Sequence, residues 1–75
     1  MEDKIKKIMS SVFGLHTNKI KNNSSPDNIK SWDSIQHMNL ILALEEEFNI
    51  KFTDDESVEM LNYSLIKEIL YSKLK

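Results

Sequence analysis

Apolar residues at helical spacing constrain the fold of this chain more than any other feature. In the segment DKIKKIMSSVFG they follow the i, i+3, i+4, i+7 and i+8 pattern of an amphipathic helix, at Ile5, Ile8, Met9, Val12 and Phe13. Gly14 directly follows this pattern and can end the helix in the left-handed conformation that glycine adopts readily. No segment shows the alternation of a strand, and no internal repeat is visible. The sequence therefore predicts an all-α fold.

Further helices are predicted later in the chain. The tetrapeptide TDDE, residues 53–56, matches a capping box that opens a short helix, and SLIKEILYSKL has the spacing of a longer final one. The apolar positions assigned to these two helices are Val58, Met60, Leu61, Leu65, Ile66, Ile69, Leu70 and Leu74. Because 75 residues make one domain, we predict a single bundle over residues 1–75, with three main helices and one short third helix.

A long connection is predicted between the first two main helices. From Leu15 to Trp32 the apolar residues have no sustained period, and NNSSPDN around Pro26 has the composition of turns. We expect Leu15, Ile20 and Ile29 to hold this segment on the core. Connections of this length are uncommon unless they have a function.

Composition excludes several classes of function. The chain has no cysteine, which rules out disulfides and thiolate metal sites, and its two histidines are too few for a histidine-based metal cluster. The longest apolar run, residues 40–44, is far shorter than the roughly 20 residues of a membrane span, and the N-terminus lacks the apolar stretch of a signal peptide. We expect a cytoplasmic protein without membrane insertion, too small for a large buried active-site cleft.

Charge is segregated along the chain despite a net charge of only −2. Residues 33–62 contain eight acidic residues and one lysine, whereas residues 1–32 contain six lysines and three acidic residues. The acidic middle should repel nucleic acid and attract basic protein surfaces.

The segment SWDSIQHMNLILALEEEF predicts the central helix and raises a question about Ser34. If Asp33 is the N-cap, Gln36 is its capping-box partner at N3, and Trp32 can pack against His37 at N4. Ser34 then lies at N1 with a free, outward-facing hydroxyl, where a phosphate would be stabilised by unpaired N–H groups and the helix dipole. Ser34 could itself be the cap, but His37 would then replace Gln36 at N3, which is a poorer match.

The central helix carries two apolar stripes. Leu40, Ile41, Leu44 and Phe48 form the stripe that we expect to face the core. The second stripe points elsewhere and is flanked by polar residues; stripe and flanks together comprise Ile35, Met38, Leu42, Asn39, Glu45 and Glu46. It could pack against another part of the bundle, or it could be an exposed docking surface with an acidic rim.

The segment DSIQHMNLILALEEEFNIKFTDDE resembles the acyl carrier proteins. Their signature is Asp-Ser-Leu at the start of the second helix, followed by an apolar run, an acidic cluster, an aromatic residue and a short acidic third helix. The resemblance covers nearly the whole chain and implies a small right-handed four-helix bundle of acyl-carrier type. It implies that Ser34 carries 4′-phosphopantetheine, installed from coenzyme A by a magnesium-dependent phosphopantetheinyl transferase. The thiol of that arm would hold an acyl or aminoacyl thioester.

The resemblance also implies partners and a recognition surface. The partners would be the transferase, an acyl- or aminoacyl-activating ligase, and an acyltransferase or ketosynthase, each meeting a monomeric carrier through arginine and lysine. The residues assigned to this surface are Asp33, Ile35, Met38, Asn39, Leu42, Glu45 and Glu46.

Departures from the family pattern indicate a specialised role. Gln36 and Asn39 are neutral where the carriers of primary fatty acid synthesis are generally acidic, and Ile35 replaces the usual leucine. The WDS form followed by a histidine is more similar to stand-alone carriers of specialised pathways. The cargo stays open, because Leu44, Phe48, Phe52, Leu61 and Tyr63 in the expected core could part around an acyl chain or pack shut.

Other functional classes fit the sequence less well. Ser34 has only His37 nearby as a base and no orienting acid, so we do not expect an enzyme. TDDES lacks the glycine and alternating oxygen ligands of a calcium loop. A helical protein-interaction module without a prosthetic group is the serious alternative, because it would share the apolar stripe and the acidic rim.

Overall fold

The protein forms four α-helices in a computed structural model that describes residues 2–74. These are α1 (Glu2–Phe13), α2 (Ser34–Phe48), α3 (Asp54–Glu59) and α4 (Tyr63–Leu74), with a single 3₁₀ turn at Thr17–Lys19. The described residues contain no strand. The prediction of three main helices and one short third helix is confirmed.

The core lies between the apolar faces of α1, α2 and α4. Its buried side chains are Ile5, Met9, Phe13, Ile20, Ile29, Trp32, Leu40, Ile41, Leu44, Met60, Tyr63, Ile66 and Leu70. The first stripe of α2 therefore faces the core as predicted, with Phe48 half-buried at its end. Burial raises the pKa of Tyr63 to about 12, and the negative charge of Glu2 is the next largest cause of this rise.

Gly14 ends α1 as predicted. Its φ of 68° is left-handed, and its N–H and that of Leu15 both donate to the Ser10 carbonyl oxygen, at 2.9 and 3.1 Å. Asn49 performs the same function after α2, with φ 54° and its N–H donating to the Glu45 carbonyl. Both turns return the chain towards the core.

The connection formed by residues 15–32 is held on the bundle. Ile20 and Ile29 are buried and Leu15 is half-buried, which confirms the predicted contacts with the core. The sequence did not predict the buried Ser24, whose hydroxyl accepts the Lys21 N–H at 2.8 Å. Its carbonyl accepts an N–H from the first residue of α4 at 2.9 Å.

The prediction that Leu61 belongs to the core is wrong. Leu61 is 60% exposed and Val58 is 72% exposed, so neither belongs to the core, and Leu74 is also exposed. The physical reason is the length of α3, which has only six residues and ends at Glu59, so Met60 enters the core from the following loop. No side chain within α3 itself is buried.

Candidate functional site

The start of α2 is capped by Asp33. Its backbone is extended, and its Oδ1 atom accepts the N–H of Gln36 at 2.8 Å. Ser34 is therefore the first helical residue, as predicted for N1. The alternative in which Ser34 is itself the cap is wrong.

The predicted role of Gln36 as the reciprocal capping-box partner is also wrong. Its Nε2 donates instead to the Val12 carbonyl oxygen at 3.0 Å, and its Oε1 accepts from Asn39 Nδ2 at 2.7 Å. The Asp33 N–H donates to the Ser31 carbonyl at 3.1 Å. The carbonyl groups at the end of α1 need donors, and Gln36 reaches one of them. Gln36 therefore joins α1 to α2.

Ser34 presents an unengaged hydroxyl. The residue is exposed, and its Oγ atom makes no hydrogen bond to any other residue within positions 2–74. Over the same positions, the N–H groups of Ser34 and Ile35 also have no acceptor, since the Asp33 cap serves Gln36. A negatively charged substituent on this hydroxyl would meet the positive end of the α2 dipole.

Trp32 and His37 flank Ser34 in the sequence and contact one another. The indole is buried, with its ring centroid 4.9 Å from that of Phe13 and 6.1 Å from that of His37. The predicted contact between N′ and N4 is confirmed, but it includes a hydrogen bond from Trp32 Nε1 to His37 Nδ1 at 3.0 Å. Because the indole N–H can only donate, the imidazole hydrogen lies on Nε2 and is donated to the Ser57 carbonyl at 2.8 Å.

An open, largely apolar groove of about 310 Å³ adjoins Ser34. Its walls come from the long connection, the start of α2, and α3 with the loop after it. The lining residues are Pro26, Trp32, Asp33, Ser34, His37, Ser57, Val58, Met60 and Leu61. Sequence reasoning missed the contribution of Ser57, Val58 and Leu61, although the shortness of the third helix was a signal that they could not all face the core.

The second stripe of α2 is exposed. Ile35 is 73% exposed, and Met38 and Leu42 are each 55% exposed. The interpretation that this stripe packs within the bundle is therefore wrong for residues 2–74. These three side chains form the α2 apolar surface, which begins next to Ser34.

The polar residues predicted to flank this surface differ in exposure and in hydrogen bonding. Glu46 and Asn39 are exposed, although Asn39 also donates to Gln36. Glu45 is half-buried, and its Oε2 accepts the Phe52 N–H at 2.8 Å. Glu45 thus fixes the turn after α2 in addition to any contribution to an acidic rim.

Residues 2–74 contain neither a metal-binding cluster nor a membrane-spanning helix. No three histidine, cysteine, aspartate or glutamate residues in this range come together in a way that could hold a metal ion. None of the helices in this part of the chain is long and apolar enough to cross a membrane.

Comparison with known proteins identifies the family. The chain is 40% identical over 70 residues to an acyl carrier protein of Buchnera aphidicola subsp. Baizongia pistaciae, an alignment covering 93% of this chain and 90% of that protein. It is 44% identical over 62 residues to the acyl carrier protein of Buchnera aphidicola subsp. Schizaphis graminum, covering 83% and 77%. No family model matches the chain.

A solved structure agrees with this assignment. The NMR structure of holo acyl carrier protein from Geobacter metallireducens superimposes with a TM-score of 0.87 at 32% identity, covering 97% of this chain and 84% of that one. The chain belongs to the acyl carrier protein family. The members of this family are carriers and not catalysts.

Proposed function

We propose that Ser34 carries 4′-phosphopantetheine and that the chain delivers thioester-bound acyl or aminoacyl groups to partner enzymes. The observation that carries this proposal is the exposed, unengaged hydroxyl of Ser34 at the first position of α2. The similar protein from Geobacter metallireducens was solved as a holo acyl carrier protein, which supports a prosthetic group in a relative.

The residues around Ser34 fit such a group. Two unpaired N–H groups at the start of α2 suit the phosphodiester, and the adjoining apolar groove suits the arm beyond it. When bound, the group supplies the thiol that a chain without cysteine lacks. Asp33 keeps Ser34 at N1 by accepting the Gln36 N–H.

The α2 apolar surface supports docking of the partners. Exposed Ile35, Met38 and Leu42 beside acidic Glu46 suit an enzyme surface with an apolar patch and basic residues. The partners in this proposal are a phosphopantetheinyl transferase, an activating ligase, and an acyltransferase or ketosynthase. We place the carrier in the cytoplasm as a monomer, in keeping with the lack of cysteine and with an arm that must visit several enzymes.

We further propose a specialised pathway for this carrier. Gln36 contacts α1 and Asn39 contacts Gln36, so both neutral side chains belong to the local structure as well as to the docking face. An enzyme that recognises acidic residues at these two positions would make fewer charge–charge contacts with this chain.

Mass spectrometry tests the attachment site. The chain is incubated with coenzyme A, Mg²⁺ and a promiscuous phosphopantetheinyl transferase, alongside Ser34→Ala and the control Ser72→Ala, which changes another exposed helical serine. We expect the arm's mass on the wild-type and Ser72→Ala proteins only. Uptake by Ser34→Ala would show that the site is wrong. No uptake by the wild-type chain would favour an interaction module without a prosthetic group.

A further inference from the structure

His37 connects two walls of the groove beside Ser34. One ring nitrogen accepts from Trp32 Nε1 at 3.0 Å, and the other donates to the Ser57 carbonyl of α3 at 2.8 Å. Trp32 and Ser57 both line the groove. A single side chain on α2 is therefore hydrogen-bonded to both the indole and α3.

Apart from the buried Met60, which directly follows the helix, few contacts hold α3 in place. Its own six residues contribute no buried side chain, so hydrophobic burial within the helix does not anchor it. The ion pair between Lys73 Nζ and Glu56 Oε1 holds the side facing α4. The His37–Ser57 hydrogen bond is the corresponding polar contact towards α2. Loss of that bond should let the wall formed by α3 move relative to Ser34.

We propose that His37 is a positioning residue for modification of Ser34, an inference that rests on the proposed function. It holds Trp32 and α3 at the spacing that a phosphopantetheinyl transferase meets around the serine. If α3 is loosened, the transferase must order it on binding, which weakens binding. Asp33 still caps α2 and keeps Ser34 at its first position, so the rate of arm transfer after binding should change little.

Substitutions at His37 can remove its two hydrogen bonds separately. His37→Asn places an oxygen near the position of Nδ1, so it can accept from Trp32 but cannot reach Ser57. His37→Gln places an amide N–H near the position of Nε2, so it can donate to Ser57. His37→Phe keeps a ring beside the indole and removes both bonds. His16→Phe is the matched control, because His16 is exposed in the long connection.

Hydrogen exchange measures the structural part of the proposal. Trp32 is the sole tryptophan, so its indole N–H gives one NMR signal. In His37→Phe we expect exchange about fivefold faster at that signal and at the amides of Ser57 and Met60, in line with the loss of one hydrogen bond at each wall. His37→Asn should accelerate only the α3 amides, and His37→Gln only the indole. Core amides of α4 should keep their rates.

Transfer kinetics measure the functional part. For modification of Ser34 we expect His37→Phe to raise KM about fivefold with kcat unchanged, and His16→Phe to change neither. In His37→Gln, which keeps the bond to α3, the KM should be close to that of the wild-type chain.

Three results would overturn the proposal. Exchange in α3 that is the same in His37→Phe and His16→Phe would show that His37 does not hold the helix. Faster exchange in α3 with an unchanged KM would show that its position is irrelevant to the transferase, and a fall in kcat alone would contradict a positioning role. Failure of the wild-type chain to accept the arm would refute the proposed function, and the exchange rates would still decide whether His37 holds α3.

Discussion

Glu56 of α3 and Lys73 of α4 form an ion pair in which Oε1 and Nζ lie 2.8 Å apart. The side chains are only 28% and 21% exposed, and the lysine also lies over the Phe52 ring, 5.8 Å from its centroid. The Lys73 hydrogen bond, followed by one from the Thr53 N–H, holds the pKa of Glu56 below its ordinary value of 4.5. The contact therefore links the capping box of α3 to the last turn of α4.

This ion pair should make stability depend on pH. Because the pKa of Glu56 is lower in the folded protein than in the unfolded chain, its stabilisation is fully present above about pH 4.5 and is lost as the pH falls through the folded value. We expect Glu56→Gln to lower the urea midpoint at pH 7, with the difference from wild type shrinking below pH 4.5. Glu68→Gln, at an exposed position of α4, is the control. An equal difference at every pH would contradict this prediction.

The α2 apolar surface should contribute little to folding. We expect Met38→Ala and Leu42→Ala to lower the free energy of unfolding by less than about 1 kcal/mol, because both side chains are 55% exposed. Leu44→Ala, at a fully buried position of the same helix, should cost about 2–5 kcal/mol. Urea titration provides the comparison. If Met38→Ala and Leu42→Ala destabilise as strongly as Leu44→Ala, the surface belongs to the core.

The acidic rim should act mainly on the rate of encounter. We expect Glu46→Lys to slow transfer of the arm to Ser34 at low ionic strength, and the rate with the parent chain to fall as salt is added, because attraction between exposed charges is screened. Glu45→Lys is a less clean variant, since it also removes the acceptor of the Phe52 N–H. Initial rates measured over a range of salt concentrations test this. A rate that is insensitive to both salt and Glu46→Lys would argue against electrostatic docking.

Pathway preference can be measured directly. We expect the loaded chain to serve a reconstituted primary fatty acid synthase poorly, because Gln36 and Asn39 lack the negative charges expected there. The double substitution Gln36→Glu and Asn39→Asp should improve that service, although Gln36→Glu also loses the donor to the Val12 carbonyl. Elongation by the wild-type chain at a rate near that of the synthase's own carrier would refute the specialised role.

Local signals in the sequence predicted the helices and much of the site. Gly14, Asp33 and the TDDE capping box each act within a few residues, so their consequences follow without knowledge of the fold. The role of Gln36 could not be predicted this way, because its acceptor lies on another helix, 24 residues away.

Which apolar residues near Ser34 are buried also could not be predicted from local signals. Periodicity separated the stripes of α2 and assigned the first one to the core, but it could not decide whether a neighbouring element would also cover the second. Leu61 was assigned to the core because apolar residues are usually buried, but α3 ends at Glu59, and the loop after it buries Met60 and leaves Leu61 exposed. Burial depends on the arrangement of all four helices, which no single segment contains.

The hydrogen bond between Ser24 and Tyr63 limits how the chain can vary in length. The Tyr63 N–H is one of the donors at the start of α4 that the helix cannot satisfy itself, and the connection supplies its acceptor. Surface connections usually tolerate inserted residues, but an insertion here between Ser24 and the buried Ile29 would shift one of two anchored points. Insertions should instead be accommodated at the exposed Thr17–Lys19 turn, because the backbone N–H of the following Ile20 bonds within the turn itself and not to another helix.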